Sequence, residues 1–143
     1  MSEHPDSGAP KGRGYSIEHN PHKGNRGFAR ALLAAKHSWS GLKFAYREES
    51  AFRQELALAC VLVPLACFLD FTAIERVALI GSVLLVLIVE LLNSSVEAAI
   101  DRISFDNHDL SKRAKDFGSA AVMVALALCA LTWALVMFST RQG

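Results

Sequence analysis

The sequence predicts an all-α membrane protein: three transmembrane helices preceded by an N-terminal amphipathic helix lying at the membrane interface. Three observations carry that fold class. Of 143 residues, 52% are hydrophobic, and the mean hydropathy is positive, a balance that favours a membrane protein. Residues 119–138, SAAVMVALALCALTWALVMF, carry no charge, and their length matches the ~20 residues that cross a ~30 Å hydrocarbon core. Two further runs, LALACVLVPLACFL (56–69) and VALIGSVLLVLIV (77–89), are apolar all round. A single amphipathic segment offers too little cover for three such helices in water.

Taken in order, residues 1–27 are rich in Gly, Pro, Ser, His and charge and show no apolar period. They predict a disordered polar tail, in which His4, His19 and His22 read as solvated side chains. No cleavable signal peptide is expected, because a long polar leader precedes the first apolar run. In residues 28–47, Phe28, Leu32, Ala35, Trp39, Leu42 and Tyr46 recur every three to four positions, and Arg30, Lys36, His37, Lys43 and Arg47 avoid that stripe. This predicts an amphipathic surface helix. Its basic face and amphipathic aromatics suit the cytoplasmic headgroup layer beside anionic lipid; the alternative is a cover helix packed on the bundle.

The spans are then expected at about 51–69, 74–100 and 115–139. Pro64 removes a backbone donor midway through the first and should bend it. The connection DFTAIER (70–76) places Thr72 and Glu75 at the spacing of a capping box. Arg26, Arg30, Lys36, Lys43, Arg47 and Arg53 precede the first span, and Arg102, Lys112, Arg113 and Lys115 separate the second from the third. These flanks should be cytoplasmic, which puts the N-terminus inside and, after three crossings, the C-terminus on the opposite face.

Composition also excludes functions. A net charge of +1 leaves no electrostatic footprint for nucleic acid. Cys60, Cys67 and Cys129 lie in apolar runs without ligand spacing and read as small packing residues. No Walker, protein-kinase, dinucleotide-binding, zinc-protease or nucleophile-elbow motif occurs, so a soluble-type nucleotide fold is unsupported.

Chemistry is expected where IVELLNSSVEAAIDR (88–102) interrupts the oil. Glu90, Asn93, Glu97 and Asp101 stand at i, i+3, i+7 and i+11, one stripe of a helix. Ionisable groups in a membrane helix are costly and line protein interiors or functional sites. The plain alternative is that Asn93 and Glu97 join helices by hydrogen bonds while Asp101 pairs with a surface Arg or Lys. Depth separates the roles. Glu90 lies about two turns farther into the apolar run, where a carboxylate becomes basic enough to take an alcohol's proton. Glu97 is shallower and suits Mg²⁺, an oxygen-seeking ion that accompanies phosphates.

A second acidic group, Glu48, Glu49 and Glu55, opens the first span. Glu49 and Arg53 could simply pair, contributing about 0.3 kcal/mol, and spacing does not choose between Glu48 and Glu49 as a second metal carboxylate. The stretch NHDLSKRAKDFGSAA (107–121) adds His108, Lys112, Arg113, Lys115 and Asp116 before the last span. Cations there can neutralise phosphate, although for Lys112 and Arg113 topology is the better explanation.

SAFRQE (50–55), VELLNSSVEAAIDR (89–102) and LSKRAKDFGSAAV (110–122) closely resemble the signatures of the prokaryotic integral-membrane diacylglycerol kinase family, in that family's order and over roughly residues 27–140. Undecaprenol kinases share the fold, but the FRQE stretch and long surface helix are more similar to the diacylglycerol branch. The resemblance implies that residues 28–143 form a membrane kinase domain. It also implies a homotrimeric bundle with active sites between subunits, in a bacterial cytoplasmic membrane. The reaction implied is transfer of the γ-phosphate of MgATP to diacylglycerol, giving phosphatidic acid.

By matching positions, the resemblance makes Glu90 the catalytic base and Glu49 and Glu97 the metal carboxylates. It assigns ATP binding to Arg30, His37, Glu49, Glu97, Asp106, His108, Lys115 and Asp116, and substrate binding to Arg30, Ser38, Trp39, Glu55, Glu90, Asn93 and Ser119. Three positions depart from the pattern: His37 stands where a tyrosine is usual, and Asp106 and Asn107 differ from the residues usually beside His108. The competing readings are an undecaprenol kinase and, from another class, a small oligomeric transporter or proton channel using Glu90, Asn93 and Glu97 as a relay.

Overall fold

A computed structural model describes residues 27–103 and 108–139. Four helices follow one another: α1 (Phe28–Glu48), α2 (Ser50–Phe68), α3 (Ala73–Ile103) and α4 (Asp109–Ser139). The predicted tail and Asp106 with Asn107 lie outside the described residues. The chain divides into two compact units, residues 1–37 and 38–143. The first holds the start of α1; the second holds the rest of α1 and all of α2, α3 and α4.

The last three helices are each long and apolar enough to cross a membrane. At ~1.5 Å per residue, the 19 residues of α2 reach about 28 Å, close to the hydrocarbon thickness. The 31 residues of α3 and of α4 each reach about 46 Å and must project beyond it. The polar end of α3 and the charged first turns of α4 supply that overhang. Lys112, Lys115 and Asp116 therefore stand on a helix, six residues of which precede the span expected at 115.

Within the second unit, α3 packs along α4 and, less extensively, against α2. On α3 the buried positions Leu79, Val83, Val86 and Glu90 are followed on the same face by half-buried Asn93 and Glu97, in alternating steps of four and three. That is a 3.5-residue seam, the period of helices that pack nearly parallel. The carboxylate stripe is thus the continuation of the packing seam, facing protein and not lipid. Opposite it, small residues admit close approach: Ala59 and Ala66 on α2, and Ala125 and Cys129 on α4. The outward faces are apolar, with Val61, Val77, Leu92, Val124 and Leu135 all exposed, as helices in contact with acyl chains require.

The α2–α3 corner is well tied. Thr72 N–H and Oγ1–H donate to Glu75 Oε2 at 2.8 and 2.7 Å, and Glu75 N–H returns a bond to Thr72 Oγ1 at 3.3 Å. This is the capping box that the spacing anticipated. Arg76 donates from Nε to the Ala66 carbonyl at 3.0 Å and from its guanidinium to the Leu69 carbonyl at 3.3 Å, satisfying acceptors that the end of α2 leaves open.

Candidate active site

The site builds outward from Glu90, which is only 4% exposed. Its carboxylate has neither an ion pair nor a hydrogen bond among the described residues, and the charges of Glu49 and Glu97 act on it. Glu90 in turn acts on Glu55, whose Oε2 is buried without a partner beside a space of about 20 Å³ between Leu62, Val83 and Cys129. Four carboxylates from α2, α3 and the α1–α2 junction are therefore gathered within electrostatic range. None of them makes a direct ion pair with a described Lys or Arg, although the Lys115 ammonium lies within the field of Glu97.

Glu49 occupies the break between α1 and α2. Its backbone is extended (φ −97°, ψ 114°) as the N-cap of α2, but its side chain caps nothing. The pair with Arg53 that the spacing allows does not form. Arg53 instead donates to the carbonyls of Tyr46 and Arg47 at 3.2 and 3.0 Å, tying off the end of α1 and leaving the Glu49 carboxylate available. Glu48 is exposed as the last residue of α1. A groove of about 400 Å³ runs between α1 and α3, lined by Gly41, Ala45, Glu49, Ser94 and Ser95 among others, and Ser94 Oγ is buried without a partner.

Asn93 Nδ2 donates to Glu97 Oε1 at 2.9 Å, so the amide is engaged with a carboxylate on its own helix. Asp101 accepts from Lys115 Nζ at 2.5 Å, linking α3 to α4, and Lys112 pairs with Asp116 at 2.7 Å. The plain reading of Asp101 as a partner for a surface cation therefore holds, and the cation is Lys115. His108 precedes α4 and accepts the Leu110 N–H on Nδ1 at 3.2 Å, so Nε2 is the ring atom left to donate.

On α1, Trp39 is 61% exposed with Lys43 Nζ 5.6 Å from its ring centroid, a cation–π distance. Trp39, Leu42, Tyr46 and Phe52 line a largely apolar groove of about 530 Å³ with Lys43 and Arg47 at its edge. Ser38 and Ser119 are exposed. Arg30 and His37 belong to the first compact unit.

Among the described residues, no three His, Cys, Asp or Glu side chains are grouped as a metal cage. Mg²⁺ held mainly by a nucleotide usually takes only one or two protein carboxylates together with phosphates and water. Glu49 and Glu97 are the candidates, both half-buried and neither in a direct ion pair.

Two contacts near these carboxylates are not legible in spacing. Arg53 stands among the basic flanks and four residues from Glu49, and nothing in that spacing reveals that it binds the end of α1. Gly118 packs against Asn93 across the α3–α4 seam, and its only local signal is a lone glycine at a helix's charge-to-apolar boundary.

Residues 36–137 match the family described as prokaryotic diacylglycerol kinase. The chain is 51% identical to the diacylglycerol kinase of Escherichia coli (strain K12) over 113 residues, which cover 79% of this chain and 93% of that one. It is 49% identical to the diacylglycerol kinase of Pseudomonas aeruginosa over 82% of this chain and 96% of the relative. Against the diacylglycerol kinase of Haemophilus influenzae the identity is 48%, over 78% and 95% of the two. A carboxylate cluster around buried Glu90 at the polar end of three apolar helices, joined to identity of this extent over most of each chain, places the protein: it belongs to the prokaryotic diacylglycerol kinase family.

Proposed function

We propose that the chain carries out its family's reaction, the phosphorylation of diacylglycerol, at the polar end of the α3 seam, with ATP as donor and phosphatidic acid as product. The observation that carries this reading is Glu90, a buried carboxylate with no cation or hydrogen-bond partner among the described residues. Structural carboxylates in membrane helices are paired; an unpaired one held within the charge of two others is a group waiting for a proton or a cation.

Glu90 accepts the proton of the diacylglycerol hydroxyl as that oxygen attacks the γ-phosphorus. The bond from phosphorus to the β,γ-bridging oxygen breaks, and ADP leaves. Phosphoryl transfer needs chiefly alignment and charge neutralisation, so the other residues position. Glu49 and Glu97 would hold Mg²⁺, which when bound would neutralise charge on the triphosphate. Lys115, half exposed at its ion pair with Asp101, reaches phosphate oxygens, while Asp116 and His108 contact the nucleotide; Arg30, His37 and Asp106 are assigned there on the resemblance alone. Ser38, Trp39, Glu55, Asn93 and Ser119, with Arg30 and Glu90, form the lipid pocket, and the groove beside Trp39 gives an acyl chain an apolar wall.

The lipid arrives laterally, its hydroxyl at headgroup depth. Polar overhangs of α3 and α4, together with the basic flanks, support a cytoplasmic site in a bacterial inner membrane, with the C-terminus periplasmic. The amphipathic helix α1 lies in the headgroup layer, its Trp39, Leu42 and Tyr46 exposed. Three copies assemble, neighbouring subunits completing each site.

Transfer of ³²P from γ-labelled ATP in mixed micelles, with diacylglycerol and undecaprenol offered separately and magnesium omitted in a control, tests the reading. Magnesium-dependent labelling of diacylglycerol is expected. Labelling chiefly of undecaprenol overturns the substrate, and labelling of neither lipid by folded protein overturns the chemistry.

A further inference from the structure

Gly118 lies in α4 between the charged turn of Lys112–Asp116 and the apolar run. Glycine is the weakest helix former after proline, so a helix interior is an unfavourable place for it unless something occupies the space of its missing side chain. Here the occupant is identifiable. A Cβ at Gly118 would collide with Asn93 Oδ1 and would lie 3.2 Å from Asn93 Cγ and 3.8 Å from its Cβ. By contrast, a Cβ at Gly41 or Gly81 would meet nothing within 4 Å.

The amide that fills this space is engaged at its other end. Nδ2 donates to Glu97 Oε1 at 2.9 Å, whereas Oδ1 is buried and has no hydrogen-bond donor. The flipped amide would set Oδ1 against the Glu97 carboxylate, two acceptors facing each other. The observed orientation therefore depends on α4 offering Oδ1 a place, and at Gly118 a hydrogen points at that oxygen where any other residue would have carbon.

We propose that Gly118 is a positioning residue for phosphoryl transfer: its bare backbone seats the Asn93 carboxamide, which aims the Glu97 carboxylate at the metal–nucleotide. The inference rests on Glu97 as a metal carboxylate. It differs from ordinary small-residue helix packing, because the group occupying the gap is the one that holds Glu97.

The test is Mn²⁺ binding, followed by electron paramagnetic resonance in the presence of a non-hydrolysable ATP analogue, in the full-length protein in micelles. Gly118→Ala, Asn93→Ala, the double variant and Glu97→Gln are compared. Loss of an outer hydrogen bond to a metal ligand typically costs about 10–100-fold in affinity. Gly118→Ala is expected to weaken Mn²⁺ by about tenfold and to raise the magnesium needed for half-maximal turnover in parallel. Because Gly118 acts only through Asn93, the double variant should be no weaker than Asn93→Ala.

Gly118→Ala binding Mn²⁺ as the parent does, or adding its full effect to that of Asn93→Ala, would overturn the inference. Should Gly118→Ala fail to fold, the double variant relieves the collision, and Asn93→Ala with unchanged Mn²⁺ affinity overturns it equally. Glu97→Gln separates the two levels. If it leaves Mn²⁺ binding intact, the metal role of Glu97 falls and the inference with it. If it abolishes binding while Gly118→Ala is silent, only the inference falls.

Discussion

The two ends of the α2–α4 bundle are built on one seam and finished in opposite ways. At the end near the α2–α3 corner, Leu79 is fully buried with Ala66 and Phe71. The corner itself is closed by the Thr72–Glu75 box and the bonds of Arg76 to α2 carbonyls. At the other end the same face of α3 carries Glu90, Asn93 and Glu97. Of the four buried side-chain polar atoms left without partners among the described residues, Glu55 Oε2, Asn93 Oδ1 and Ser94 Oγ belong to this end, and Trp133 Nε1 to the other. Unsatisfied buried polar groups cost about 1–3 kcal/mol each. The tied end supplies stability, and the open end carries a cost that the proposed ligands would offset.

Substitutions that act on one end only should break this division if it is wrong. The largest effect belongs to Glu97→Gln, which removes a charge expected to hold Mg²⁺. Turnover should fall by at least about 100-fold, a loss near 2.7 kcal/mol, with thermal unfolding in detergent little changed. Leu79→Ala should do the reverse, lowering stability by about 2 kcal/mol while the folded fraction keeps its turnover within about twofold. Thr72→Ala opens the capping box and should cost about 1 kcal/mol, read as a lower unfolding temperature with an unaltered KM for ATP. The smallest effect is expected of Asp101→Asn. With Lys115 binding phosphate as proposed, Asp101 would compete for it, so KM for ATP should fall by about threefold, the scale of an exposed ion pair, with no measurable change in stability.

Much of the tied end was legible in the sequence, because its determinants are local. A capping box is a spacing of three, and an apolar run of sufficient length is a span wherever its neighbours lie. The carboxylate stripe of α3 was legible for the same reason, since a helical period brings Glu90, Asn93 and Glu97 to one face. What spacing could not supply is contact between helices. Arg53 and Glu49 stand four apart, as a pair would, yet the guanidinium is drawn to open carbonyls at the end of α1, a competition visible only once the chain breaks at Glu49. Likewise Gly118 and Asn93 are 25 positions apart, and their fit exists only across the α3–α4 seam. The helix α4 begins at Asp109, ahead of the span expected from about 115, because apolarity marks where a helix enters lipid and not where its hydrogen bonding begins.

The family's lipid kinase chemistry is ascribed here to one buried carboxylate, and Glu90→Gln tests that most directly. The variant keeps the shape of the side chain and removes its ability to take a proton. General-base catalysis contributes about 10²–10⁴-fold, so ³²P transfer to diacylglycerol should drop by that factor while the protein unfolds at or above the parent's temperature. A folded Glu90→Gln protein that retains most of its turnover would contradict the account.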